Sequence, residues 1–104
     1  MKQPSLDQLS TFLTVLRQGG VNRAAEVLHL SQPAVTARIK ALEAALGKTL
    51  FERSPQGLRP TRDAELLVGY AERFELLASL VERDLVDAGA HRRLIRIGAS
   101  ETVT

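Results

Sequence analysis

The sequence contains no cysteine and no tryptophan. Without cysteine there is no disulfide framework, no thiolate zinc site and no thiol nucleophile. Three phenylalanines and one tyrosine are the only aromatics, so the interior must be built from Leu, Val, Ile and Ala, which suits packed helices. No apolar run approaches the roughly 18 residues that span a bilayer. The opening Met1-Lys2-Gln3-Pro4-Ser5 has no apolar segment behind its charge, so it does not read as a signal peptide. A cytoplasmic protein with no membrane contact is expected. A catalytic set would need a nucleophile with its base, a metal cluster or a Gly-rich phosphate loop. The two isolated histidines, His29 and His91, supply none of these. No enzyme, metal or cofactor is expected.

What is present is a globular balance, 44% hydrophobic and 25% charged residues. The net charge of +2 is unevenly spread: residues 1–61 carry eight Lys/Arg against four acids, and residues 62–104 carry six against eight. A basic first half on an acidic second half fits a nucleic-acid contact confined to the first.

Ser5-Leu6-Asp7-Gln8 has the form of a capping box. Leu6, Leu9, Phe12, Leu13 and Leu16 follow at helical spacing, and Gly19-Gly20 stops that helix. Asn22 is the expected cap of a second helix, with Ala24, Ala25 and Leu28 on its inner face. Ser31 caps a third helix, with Pro33 in its first turn, where a missing N–H is harmless. Val35, Ile39, Leu42 and Leu46 form its buried stripe, and Gly47 ends it. Leu50–Arg53, the turn Ser54–Gly57 and Leu58–Pro60 make a small hairpin. Thr61 caps a long helix running to about Ala88, ended by Gly89. Leu94–Gly98 reads as a strand, and a lone strand cannot stand by itself. The chain is expected to open a further domain there.

The segment Ala24-Ala25-Glu26-Val27-Leu28-His29-Leu30-Ser31-Gln32-Pro33-Ala34-Val35 places two short helices at a tight corner. The alanine pair permits close crossing, while Leu28, Leu30 and Val35 fill the inside. That is a helix-turn-helix. With the Val35 stripe inward, Gln32, Thr36 and Lys40 face out, with Arg38 beside them. These can reach base edges and phosphates in a major groove. His29 reads as a turn residue, and His91, Arg92 and Arg93 as a solvated hinge. Arg53 and Arg59 are long cations on a short hairpin, suited to backbone phosphate. The surface of the third helix is neither apolar nor acidic, which argues against a module used only for protein–protein contact.

Here the sequence resembles the LysR-type transcriptional regulators. The matching residues are Leu9, Phe12, Ala24-Ala25, Leu30-Ser31-Gln32-Pro33-Ala34-Val35-Thr36, Ile39, Leu42-Glu43, Leu46-Gly47, Leu50-Phe51-Glu52-Arg53 and Thr61. The resemblance implies a mainly α fold, a winged helix-turn-helix of three helices plus a β-hairpin wing, followed by a long dimerisation helix. It also implies binding of double-stranded, interrupted palindromic DNA, with Ser31, Gln32, Pro33 and Thr36 at contacting positions and Arg53 on the wing contact. Small-molecule sensing would belong to an effector domain that begins only near the end of this chain. The sequence departs from the family at Gly20, where Ser is usual. Ala37 stands where several members carry a base-reading Arg, and Arg62-Asp63-Ala64-Glu65 replaces the usual Pro-Ala-Gly.

On the long helix Leu67, Tyr70, Phe74, Leu77 and Val81 are spaced three and four apart, and Leu66, Leu76, Leu80 and Leu85 add a second stripe. Roughly 27 helical residues extend about 40 Å, more than the first 61 residues can cover. A homodimer through this helix is expected, antiparallel by the resemblance, with a higher homo-oligomer in a full-length protein. The expected division is residues 1–61 for DNA binding, 62–89 for the dimerising linker helix, and 90–104 for a hinge and the first strand of an effector domain.

Overall fold

The structure, a computed structural model, describes residues 3–87. The element order is α1 (Leu6–Gln18), α2 (Val21–Leu28), α3 (Gln32–Leu46), β1 (Phe51–Ser54), β2 (Gly57–Pro60), α4 (Arg62–Val81) and a π-helical turn over Glu82–Asp87. The chain forms two compact units that divide after Phe74. The expected helix end at Gly89, the hinge cations and the 94–98 strand lie outside the described residues.

Local chemistry sets the helix starts. Ser5 Oγ accepts the Gln8 N–H at 3.1 Å while Gln8 Oε1 accepts the Ser5 N–H at 2.9 Å, a complete capping box. α1 stops at Gly19, which takes a left-handed φ of 80° and returns its N–H to the Val15 carbonyl. α2 begins one residue earlier than its expected cap. Gly20, not Asn22, is the N-cap, and no side chain caps this helix. Asn22 lies inside the first turn, where its side chain has no position from which to take a cap N–H.

The first unit is a three-helix body closed by the hairpin and the start of α4. Phe12, Leu9, Leu13, Val35, Leu42 and Leu50 are almost fully buried, each burial contributing roughly 1.5–3 kcal/mol. Ala24 and Ala25 are buried where α2 approaches its neighbours, with Leu28 and Leu30 packed against them. α4 docks by Ala64 and Ala71, both wholly buried, with Leu67 and Val68 half-buried beside them. Leu67 therefore serves its own domain: on a helix it lies three residues after Ala64 and four before Ala71, on one face.

β1 and β2 are antiparallel, with Phe51 opposite Pro60, Glu52 opposite Arg59, Arg53 opposite Leu58 and Ser54 opposite Gly57. The strand starts one residue later than expected, because Leu50 is buried in the core and its N–H is taken by Glu43. Phe51 packs on Phe12 with ring centroids 5.6 Å apart. In the turn, Ser54 Oγ donates to the Gly57 carbonyl at 2.8 Å, and Gly57 adopts a left-handed φ of 114°. Regular α geometry in α4 ends at Val81, and Glu82–Asp87 widens into π geometry rather than continuing the α-helix.

Candidate nucleic-acid interface

The corner between α2 and α3 is built on His29. It is the only non-glycine residue with a left-handed backbone (φ 57°) among the described residues, and its N–H closes α2 onto Ala25 and Glu26. The next residue, Leu30, donates to the Ala25 carbonyl at 2.9 Å and turns inward. Ser31 then starts α3: its Oγ accepts the Ala34 N–H at 3.2 Å. Pro33 follows in the first turn, where no N–H is required.

The rotation of α3 is fixed by Val35, Ile39 and Leu42, all buried, with Leu46 half-buried against them. At about 100° per residue, Gln32, Thr36 and Lys40 step round one flank from Val35. Gln32, Pro33 and Thr36 are exposed, and the Lys40 side chain is 75% exposed. Arg38 does not join them. It lies on the opposite flank, half-buried, and its Nη1 donates to Thr11 Oγ1 at 3.3 Å. The expectation that Arg38 stands beside Thr36 fails because two residues along a helix are about 200° apart. Lys40 faces Glu43 Oε1 at 3.8 Å.

The two wing cations also part company. The register puts Arg53 on the Leu58 side of the ribbon and Arg59 on the Glu52 side. Both are exposed. Arg53 borders a cleft of about 440 Å³ between the wing and the α1–α2 corner, lined also by Gly20, Asn22, Arg23, Ser54 and Leu58. Its lining contains two arginines and no acid, and the uncapped start of α2 opens into it. Arg23 was not singled out in the sequence, although a cation in the first turn of a helix that opens on glycine was a usable signal. Arg59 borders a separate cleft with Glu52, Arg62 and Glu65, where charges of both signs meet.

The wing is tied down by Glu43, whose role sequence reading did not find, and by Thr61, which was expected only as the cap of α4. Glu43 Oε2 accepts the Leu50 N–H at 2.7 Å and the Phe51 N–H at 3.4 Å. Thr61 donates its hydroxyl to the Thr49 carbonyl at 2.7 Å, accepts the Ala64 N–H at 3.2 Å, and sends its own N–H to Leu50 at 2.9 Å. On α4, Tyr70 and Phe74 of the first unit are 60% and 50% exposed, and Leu77 and Val81 of the second are 58% and 49% exposed.

A helix pair meeting at a closed corner, an exposed polar flank on its second helix, and a hairpin directly after it define a winged helix-turn-helix. Residues 6–65 match the family model described as bacterial regulatory helix-turn-helix protein, lysR family. The chain belongs to the LysR family of transcriptional regulators and carries its DNA-binding helix-turn-helix domain. It is 41% identical over 97 residues to the HTH-type transcriptional regulator PcaQ of Agrobacterium fabrum, covering 92% of this chain and 31% of PcaQ. It is 42% identical over 97 residues to AbaB of Streptomyces antibioticus, covering 92% of this chain and 32% of AbaB. The chain thus spans about a third of the length of these relatives. Among solved structures it is similar to the DNA-binding domain of CbnR in complex with DNA, with a TM-score of 0.73 and 37% identity over 83% of this chain and 98% of that one. It is also similar to full-length LysG from Corynebacterium glutamicum, with a TM-score of 0.74 and 31% identity over 86% of this chain and 31% of LysG. These relatives are DNA-binding regulators rather than enzymes. Among the described residues, no helix is long and apolar enough to cross a membrane.

Proposed function

We propose that α3 enters the major groove of a palindromic operator and that Gln32 and Thr36 read base edges there. One observation carries this: both side chains stand exposed, one turn apart, on a helix whose start is capped by Ser31 and whose other flank is locked to the core and to Thr11. Gln can pair bidentately with adenine, and the Thr methyl can pack on a thymine methyl. Ser31 and Pro33, at the helix start, lie against the DNA backbone, where N-terminal N–H groups favour phosphate. Lys40 and Arg53 hold phosphates, with Arg23 across the cleft from Arg53. Arg59 makes a weaker contact from the other side of the wing. Arg38 orients α3 rather than touching DNA.

Two copies bind together, paired through the exposed apolar residues of α4, Tyr70, Phe74, Leu77 and Val81, with Leu66 in place of Leu67. The division into residues 1–61 for DNA binding, 62–89 for pairing and 90–104 for the opening of an effector domain suits this arrangement. In the longer protein a small-molecule effector acts through that domain, the dimer assembles further, and the site of action is the cytoplasm.

The test is a base-substitution scan of a duplex selected from a random pool, read with the wild-type chain, Gln32→Ala and Thr36→Ala. Gln32→Ala should erase preference at one base pair in each half-site, a loss of roughly 1–3 kcal/mol of discrimination. The change should repeat symmetrically at half-sites one helical turn, or a multiple, apart. Unchanged preference at every position in both variants would move the reading head elsewhere.

A further inference from the structure

A single side chain joins the third helix to the wing. Glu43 projects from α3 one turn beyond Lys40, and its side chain is only 14% exposed. Its carboxylate takes the N–H groups of Leu50 and Phe51, the residues that open β1. Its main-chain carbonyl takes the Lys48 N–H at 3.1 Å. One residue thus holds the whole segment that leads from α3 into the hairpin. A carboxylate this far from water is costly unless donors compensate it, and charge-assisted N–H bonds do so while fixing geometry.

The segment needs such a tether. Gly47 ends α3 in a left-handed conformation (φ 67°), and residues 47–50 cross to β1 without regular structure. A two-stranded hairpin of four-residue strands has little stability of its own. Its angle to α3 is set by what grips its base. Burial of Leu50 and the Thr61 bonds grip the base from the core and from α4. Glu43 grips it from α3 itself.

We infer that Glu43 is a positioning residue for DNA binding: it fixes the wing's angle to α3, so that Arg53 meets backbone phosphate while α3 is seated in the groove. Glu43 itself makes no DNA contact. This inference rests on the reading of Arg53 as a phosphate ligand. It goes further in tying the wing's contribution to a residue of the recognition helix.

The experiment is a double-mutant cycle between Glu43→Ala and Arg53→Ala in the full chain. Affinity for a mixed-sequence duplex of fixed length is measured across a range of salt concentrations. Arg53→Ala alone should weaken binding roughly tenfold, the scale of one charged hydrogen bond, and lower the salt slope by about one unit. Glu43→Ala alone should do much the same. In its background Arg53→Ala should cost less than about twofold and leave the slope unchanged, the non-additivity expected of coupled residues. Glu43→Gln, which keeps an acceptor for the Leu50 N–H, should restore most of the loss. A merely destabilising substitution lowers the folded fraction without changing the salt slope. If Glu43→Ala fails to fold by circular dichroism, Glu43→Asp takes its place, keeping the charge but withdrawing the carboxylate by one methylene, with the same expected outcome. Equal cost of Arg53→Ala in both backgrounds overturns the role of Glu43. No cost of Arg53→Ala in the wild-type background overturns the phosphate reading of Arg53 instead.

Discussion

Arg38 reaches across from α3 to Thr11 on α1, its Nη1 3.3 Å from a hydroxyl that is wholly buried. A basic residue of α3 thereby donates to its own domain. Arg38→Ala should therefore act on stability. It strips the buried Thr11 hydroxyl of a donor, at a cost of about 1–2 kcal/mol. Thermal melting should show the drop, and a base-substitution scan should show unchanged preference. A shifted preference with an unchanged melting temperature would make Arg38 a base reader after all.

His29 closes the helix-turn-helix corner in a left-handed conformation that β-branched residues resist. His29→Val should destabilise the fold by about 1–2 kcal/mol. His29→Gly should be neutral or slightly stabilising, the release of backbone strain offsetting the added freedom of the unfolded chain. Paired denaturant titrations decide it. Equal stability of the two variants would show that this backbone conformation carries no strain.

Thr61 uses its hydroxyl twice, donating to the Thr49 carbonyl and capping α4 through the Ala64 N–H. Thr61→Val keeps the shape and loses both bonds, so about 1–3 kcal/mol should go. Thr61→Ser should retain most of it. Hydrogen exchange at the Ala64 amide would localise the effect: faster in Thr61→Val, near wild-type in Thr61→Ser.

Phe74 is half exposed on α4 and apolar. If this helix pairs two copies, Phe74→Glu places an unpaired charge in the seam and should abolish association. Sedimentation at micromolar concentration should give twice the chain mass for wild type and the chain mass for the variant. A wild-type monomer would remove the dimer from the proposed function.

The sequence by itself determined where most helices begin and end and which stripe each buries. Ser5 with Gln8, Ser31 with Ala34, and the terminal Gly19 and Gly47 act within four residues of one another. Such signals survive in a linear reading because the bonds they make are local. The periodic stripe Val35-Ile39-Leu42 was legible for the same reason: helical geometry turns spacing into a face. The hairpin and the outward Gln32, Thr36 and Lys40 were legible from turn chemistry and helical spacing, and the family resemblance added Ser31 and Pro33 as expected DNA contacts.

The tertiary structure alone decided which charged residues are free. Arg38 is engaged by a residue 27 positions earlier and Glu43 by the opening of a strand seven and eight positions later. Arg53 and Arg59 fall on opposite sides of the wing because hairpin pairing sets a two-residue alternation. Leu67 faces inward because Ala64 and Ala71, on the same side of α4, meet the core. Each of these outcomes depends on groups brought together only by folding. A long charged side chain has no preferred partner until the chain has closed around it.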